Sequence, residues 1–230
     1  MNKEKIIQAG KIASEVKEYA RTIIKKDVLL LEIAEKIESK IEELGGKPAF
    51  PITLSIDEIA AHCAPDHDDG TKAHGLLKVD LGVHIGGWIA DTAFSIDLEN
   101  DEENKKLIQA SEEALEKAIS ITNKNIPIEE IGEIIQKTIE SKGFSPVINL
   151  SGHSMGRYDL HSGITIPNIK SGDNKKLKEG LYAIEPFATN GSGRVRDGKP
   201  SGIYYLQDER NVRSPIARDA LKIIQEEYNT

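Results

Sequence analysis

The chain lacks the features that would place it outside a reducing compartment or inside a membrane. A single cysteine, Cys63, in 230 residues cannot close an internal disulfide, and the N-terminus carries no apolar signal-peptide core, so a cytoplasmic setting is expected. No apolar run approaches the roughly 20 residues needed to cross a bilayer, and no membrane association is expected. A cationic surplus is missing too: 30 Lys and Arg against 38 Asp and Glu leave a formal net charge of −8. That argues against nucleic-acid binding over a broad basic surface, while a local basic patch stays open. Without a leader, the Asn-x-Ser triplets at Asn149 and Asn190 are not expected to carry glycans.

What is present is a change of hydrophobic period along the chain. From Asn2 to about Gly45, apolar residues recur at helical spacing (Ile6, Ile7, Ile12, Val16, then Leu29, Leu31, Ile33, Ile37, Ile41), which predicts two amphipathic helices stopped at Gly45-Gly46. Strand-like segments follow: ITLSI, EIAAHCA and the hairpin LLKVDLGVHIGGWIADTAF, with a polar loop over Pro65 to Gly75. Asn100 to Asn123 and Pro127 to Gly143 again predict two helices. Then come the short strands PVINL, ITIPN, YAIEPFAT and IYYLQ, and a last helix over Pro215 to Tyr228. Helix pair and strand group thus alternate twice. The pattern predicts one α+β domain whose two similar halves pool their strands into an antiparallel sheet covered on one face by helices. A doubly wound parallel sheet would alternate single strands and single helices instead.

Within the hairpin, Asp80 and Asp91 interrupt apolar strands. If Gly86-Gly87 forms the two-residue turn that such a pair favours, residues whose numbers sum to 173 face each other. Asp80 then opposes Ala93 and Asp91 opposes Gly82, so the carboxylates share a face as diagonal neighbours, about 7–8 Å apart or less. Buried together they repel, and a bound cation removes that penalty. The alternatives are solvent exposure on an edge strand or pairing with Lys78.

Further polar residues stand in apolar surroundings: His62 in IAAHCAP, His153 and His161 in NLSGHSMGRYDLHSG, and Glu185 in YAIEPFAT. Gly152-His153-Ser154-Met155-Gly156 also fits the G-x-S-x-G nucleophile elbow. Only His161 follows Ser154, seven residues on, so no distant histidine is left to act as the base of a hydrolase triad. The Asp66 to Asp69 cluster reads as a solvated loop, and Asn190-Gly191-Ser192-Gly193 lacks the context of a phosphate loop.

Taken together, AFPITLSIDEIAAHCAP, KVDLGVHIGGWIADTAF, SGHSMGRYDLHSGITIPNI and EGLYAIEPFATNGSG resemble, in order, the motifs of the archaeal type 2 methionine aminopeptidases. The resemblance covers nearly the whole chain. It implies the pita-bread fold, two divalent metal ions (cobalt, manganese, iron or zinc), and removal of the initiator methionine from nascent polypeptides, near the ribosome and by a monomer. Asp80, Asp91, His153 and Glu185 match metal ligands, with Asp91 bridging. His62 and His161 match histidines that contact substrate and stabilise the tetrahedral intermediate. Phe50 matches an aromatic of the methionine pocket, to which Leu160 is added as a second candidate.

The resemblance further implies a single catalytic domain with pseudo-repeated halves over 1–99 and 100–210, and a helical insert beginning at 211–230. It also implies C-terminal strands with a fifth ligand, a bridging glutamate that no residue here matches, so that the chain is expected to be either a truncated product or gene fragment, or a natural short form without that ligand. A proline-specific peptidase of the same fold, or an inactive binding module, are the alternative functions.

Overall fold

The computed structural model describes residues 1–206 and 212–228. Helix α1 (Lys3–Ile23) starts at Asn2, whose side chain accepts the Lys5 N–H at 3.1 Å, satisfying one of the free donors of the first turn. Its buried face runs through Ala9, Ile12, Ala13, Val16 and Ala20, so Ile6 and the exposed Ile7 fall outside the core. Helix α2 (Leu30–Glu43) buries Leu30, Ile33, Ala34, Ile37 and Ile41 at the i, i+3, i+4, i+7 spacing of one apolar stripe. These residues pack with Ile52, Leu54, Leu77, Val79, Leu81 and Val83 into the first core. Each fully buried Leu or Ile there contributes about 1.5–3 kcal/mol relative to exposure.

The strands facing them are β1 (Lys47–Pro48), β2 (Thr53–Ile56), β3 (Leu76–Ile85) and β4 (Trp88–Asp97). All pairings are antiparallel. β4 lies on one edge of β3, while β1 and β2 share the other. The β3–β4 register runs from Leu76↔Asp97 to Ile85↔Trp88, with Asp80↔Ala93 and Gly82↔Asp91 as the Gly-Gly turn requires. Gly86 and Gly87 form that turn with φ of 56° and 85°, a conformation that side-chain-bearing residues rarely adopt.

Helix α3 (Glu102–Ile121) is capped by the Asp101 carboxylate, which accepts the N–H groups of Glu103 and Asn104. α4 (Ile128–Ser141) buries Ile128, Ile131, Gly132, Ile135, Thr138 and Ile139. Beyond it lie β5 (Ser145–Pro146), β6 (Ser151–Met155), β7 (Thr165–Pro167), β8 (Leu181–Ala183) and β9 (Ala188–Thr189), then α5 (Pro215–Ile223), prolonged by a wider turn over Ile224–Tyr228. The order β7-β6-β8 makes a three-stranded antiparallel sheet, and β5 pairs β9. The entries to α2 and α4 are built alike. Asp27 and Asn125 both have positive φ, of 68° and 78°, and their N–H groups donate to Ala73 O and Leu177 O, each at 2.9 Å.

Two expected strands are absent. EIAAHCA leaves the sheet because the chain turns at Asp57 (φ 48°), and His62 also has positive φ, 61°. Only the Leu54 N–H to Cys63 O bond, 2.7 Å, ties the segment to β2. Over 203–206, IYYLQ is irregular, with Tyr204 and Tyr205 exposed and no strand beside it among the described residues; Gln207 lies outside them. The expected common sheet is also divided. Among the described residues the four-stranded and three-stranded arrays are joined by the bridge Trp88↔Arg157. Among the described residues no helix is long and apolar enough to cross a membrane.

Candidate metal centre

The face of the β3–β4 hairpin that carries Asp80 and Asp91 turns toward the second half of the chain. Because the register places Gly82 opposite Asp91, no side chain fills that position. The Phe50 ring lies there instead, so close that a Cβ at Gly82 would stand 2.3 Å from Phe50 Cε1. From the second half, β6 contributes His153, buried and paired with Ala183 of β8. Glu185 follows β8, where the backbone has left the ladder ahead of Pro186. His153 Nε2 approaches Glu185 Oε1 at 2.9 Å and Asp91 Oδ2 at 3.6 Å. Ligand atoms of Asp91, His153 and Glu185 all lie within 4.8 Å of one another.

Such a cluster is electrostatically expensive without a cation. Burial, reinforced by Glu185, pushes the Asp91 carboxyl up to about 7, and His153 offsets only part of this. Burial, with Asp91 and Glu185 adding, holds Asp80 well above the carboxylate range. For His153, burial works against the charged form, but Glu185 and Asp91 prevail and raise its pKa. The 2.9 Å contact lacks hydrogen-bond alignment, and both Glu185 Oε1 and His153 Nδ1 are buried without a hydrogen-bond partner. Lys78 does not relieve the charge. Its ammonium donates to the backbone carbonyls of Asp57 (2.5 Å) and Leu76 (3.4 Å), and burial lowers its pKa to about 8. A converging set of carboxylates and one imidazole, holding an unsatisfied buried oxygen, fits a divalent metal ion.

Around this centre stand the remaining residues singled out in the sequence. The His161 ring lies 4.3 Å from that of His153, centroid to centroid. Burial, His153 and His62 together depress the His161 pKa despite Glu185 and Asp159, which places His62 within electrostatic reach. Leu160 packs with Ala49 and Leu181 on a small apolar cluster of Ile89, Met155 and Ala183 that draws from both halves. All eight sequence-chosen residues thus come to one region.

Ser154, by contrast, is no nucleophile elbow. It sits inside strand β6, buried, and its hydroxyl oxygen is taken up by Ser162 Oγ at 2.7 Å and Ile164 N at 3.0 Å. Sequence reasoning missed this pairing, for which the G-x-S-x-G pattern was the only signal. It missed Tyr158 as well. Tyr158 has φ of 54°, its ring covers Gly87, and its N–H donates to Gly87 O at 2.9 Å.

Gly152 is a close-approach position, because a Cβ there would stand 2.3 Å from Ala183 O and 3.1 Å from Glu185 N. Both obstacles are backbone and cannot rotate away. Gly152→Ala is expected to cost about 1–3 kcal/mol of stability and to weaken divalent-metal binding by shifting Glu185, measurable by denaturant unfolding and metal titration. Unchanged metal affinity would show that Glu185 is not held by this contact.

Comparison with known proteins agrees with this geometry. The model of metallopeptidase family M24 matches residues 4–215. The methionine aminopeptidase of Methanocaldococcus jannaschii is 50% identical over 228 residues, covering 98% of this chain and 77% of the relative. The crystal structure of the Thermotoga maritima methionine aminopeptidase superposes with a TM-score of 0.79 at 29% identity, over 87% of this chain and 84% of that one. A prolidase from Pyrococcus furiosus shares the fold, with a TM-score of 0.68 at 24% identity over 80% of this chain and 55% of that one. The architecture is the pita-bread fold, and the chain belongs to metallopeptidase family M24.

Proposed function

We infer that this chain is a methionyl aminopeptidase, a metalloenzyme that removes the initiator methionine from new polypeptides. The observation that carries the reading is the convergence of Asp91, His153 and Glu185, with Asp80 beside them, on one largely buried face. It is supported by the 50% identity to an archaeal methionine aminopeptidase. We take the protein to act as one catalytic domain, with 1–99 and 100–210 as its repeated halves, and as a monomer in the cytoplasm on polypeptides emerging from the ribosome. No nucleic-acid contact is required.

In this reading Asp80, Asp91, His153 and Glu185 hold two divalent ions. Bound there, the ions would supply Lewis acidity toward a water nucleophile and the scissile carbonyl. The chain's own residues do the rest. Phe50 and Leu160 present apolar surface to the methionine side chain. The lowered pKa of His161 keeps its imidazole neutral near pH 7, so it can donate one N–H to the carbonyl oxygen as negative charge develops there. His62, on the loop after β2, offers a second ring nitrogen toward the same oxygen, and together they stabilise the tetrahedral state. Burial of Asp80 and Asp91 beside the Phe50 ring strengthens the charge interactions they make.

The test is metal stoichiometry by native mass spectrometry, alongside hydrolysis of Met-Ala-Ser and of an X-Pro dipeptide. Two bound metals with release of methionine from Met-Ala-Ser are expected. Turnover of the X-Pro substrate alone would move the assignment to a proline-specific peptidase, and metal-independent absence of any turnover would favour a binding module.

A further inference from the structure

Once the elbow reading falls, the serine of Gly152-His153-Ser154-Met155-Gly156 needs another role. Ser154 follows His153 in β6, and because side chains alternate along a strand it leaves the face that His153 occupies. Four of its hydrogen-bonding links run to one place. Its hydroxyl oxygen takes Ser162 Oγ at 2.7 Å and the Ile164 N–H at 3.0 Å. Its backbone N–H donates to Ile164 O and its carbonyl accepts the Ser162 N–H, each at 2.8 Å. The chain leaving β6 is thereby fastened to the chain entering β7. The far end of the same loop is pinned by Gly156 N–H to Asp159 O at 2.7 Å and Tyr158 N–H to Gly87 O at 2.9 Å. Between these fastenings lie Leu160 and His161. His161 is exposed as a residue, with only its ring drawn in against His153, so the fastened backbone on either side does much to bring that ring to 4.3 Å from His153.

We propose that Ser154 is a positioning residue: by holding Ser162 and Ile164, its hydroxyl sets the His161 imidazole beside His153, where it meets the substrate carbonyl. This rests on the reading of His161 as a substrate-contacting group. Without the hydroxyl, the pairings of β6 with β7 and β8 keep His153 in its ladder, while the loop that carries His161 loses two of the bonds that define its path. The consequence falls on transition-state geometry rather than on metal or ground-state binding.

The experiment is a double-mutant cycle on the metal-loaded enzyme, with Ser154→Ala, Ser162→Ala and His161→Ala. Ser154→Ala is expected to lower kcat by about tenfold to hundredfold, as misplacement of a reacting-centre contact does, with KM changed by less than about threefold and metal stoichiometry retained. In a His161→Ala background the same substitution is expected to change kcat by less than about twofold, because Ser154 acts through His161. An equal loss in both backgrounds, or no loss in the first, would overturn the proposal. Should Ser154→Ala fail to fold, the exposed Ser162→Ala carries the same cycle, with a smaller drop expected.

The His161 imidazole resonances of the protein provide a readout independent of turnover. They are expected to shift in Ser154→Ala and Ser162→Ala as the ring leaves its neighbour, and resonances unchanged in both would overturn the proposal. Wild-type enzyme without turnover on Met-Ala-Ser would count against the aminopeptidase reading alone, and the resonances would still decide the role of Ser154.

Discussion

Asp91→Asn is expected to abolish hydrolysis of Met-Ala-Ser in a metal-supplemented assay and, at the same time, to make the metal-free protein more stable. The two effects have one cause. Asp91 lies within reach of His153 and Glu185 and is nearly enclosed, so burial and Glu185 lift its pKa to about 7. If Asp91 ligates the metal as proposed, removing it sacrifices several kcal/mol of charge stabilisation in the transition state, and at about 1.4 kcal/mol per decade kcat/KM falls by about a thousandfold or more. Removing the same carboxylate from a cation-free cluster removes repulsion and a desolvation cost, for a gain of about 1–3 kcal/mol at pH 7.5. In a protein of this size that is a rise in Tm of about 5 °C, read by calorimetry after exhaustive chelation. Unchanged hydrolysis would remove Asp91 from the site. A lowered Tm of the metal-free variant would mean that the carboxylate is tied by bonds the charge argument does not include.

How much of this was legible beforehand depends on the range of the interactions involved. The helix pairs and their buried stripes follow from apolar spacing within a few turns, and Ile33, Ile37 and Ile41 are buried as that spacing requires. The hairpin register follows from two local facts, a Gly-Gly pair that fixes a two-residue turn and a side-chain period of two, and every pair from Leu76↔Asp97 to Ile85↔Trp88 obeys it. EIAAHCA misled because its composition suits a strand, whereas its path is set by left-handed backbone at Asp57 and His62, which apolar patterning does not encode. The Asp57 carboxylate also caps the Leu76 N–H at 2.8 Å, so that β3 starts where the segment has already turned away.

The meeting of the two halves was beyond local reasoning. Asp91 and His153 come together through contacts such as the Trp88↔Arg157 bridge, the Arg157 bond to Gly86 O, the Tyr158 contact on Gly87 and the apolar cluster around Ile89, none of which leaves a periodic mark in the sequence. Grouping the four acidic and imidazole residues therefore depended on the motif resemblance. The hairpin arithmetic alone supplied only Asp80 and Asp91, and it left Lys78 as a rival partner that the structure turns toward the carbonyls of Asp57 and Leu76.

Removing the metal is expected to invert the usual acid response of stability. Most carboxylates here that have a resolved interaction, such as Glu113 beside Lys142 and Glu133 beside Lys137, have lowered pKa values in the fold, and groups of that kind lose their contribution as pH falls. Asp80 and Asp91 go the other way, because their folded pKa values lie above the unfolded value near 4. Between about pH 4 and 7 these two carboxyls therefore hold protons that they lack in the unfolded chain, and their contribution to stability falls as pH rises through that window. From pH 5.5 to 7, Asp91 alone contributes about 2 kcal/mol in this direction, at about 1.4 kcal/mol per pKa unit.

The chelated protein should accordingly melt about 5 °C lower at pH 7.5 than at pH 5.5. Excess manganese or cobalt should close that gap, because an ion that binds the ionised cluster adds stability most where protons compete least. Asp80→Asn and Asp91→Asn should each flatten the slope of the chelated protein without touching the surface pairs. A chelated wild-type protein whose Tm rises steadily from pH 5.5 to 7.5 would show that the carboxylates of Asp80 and Asp91 are relieved by something other than protons or metal.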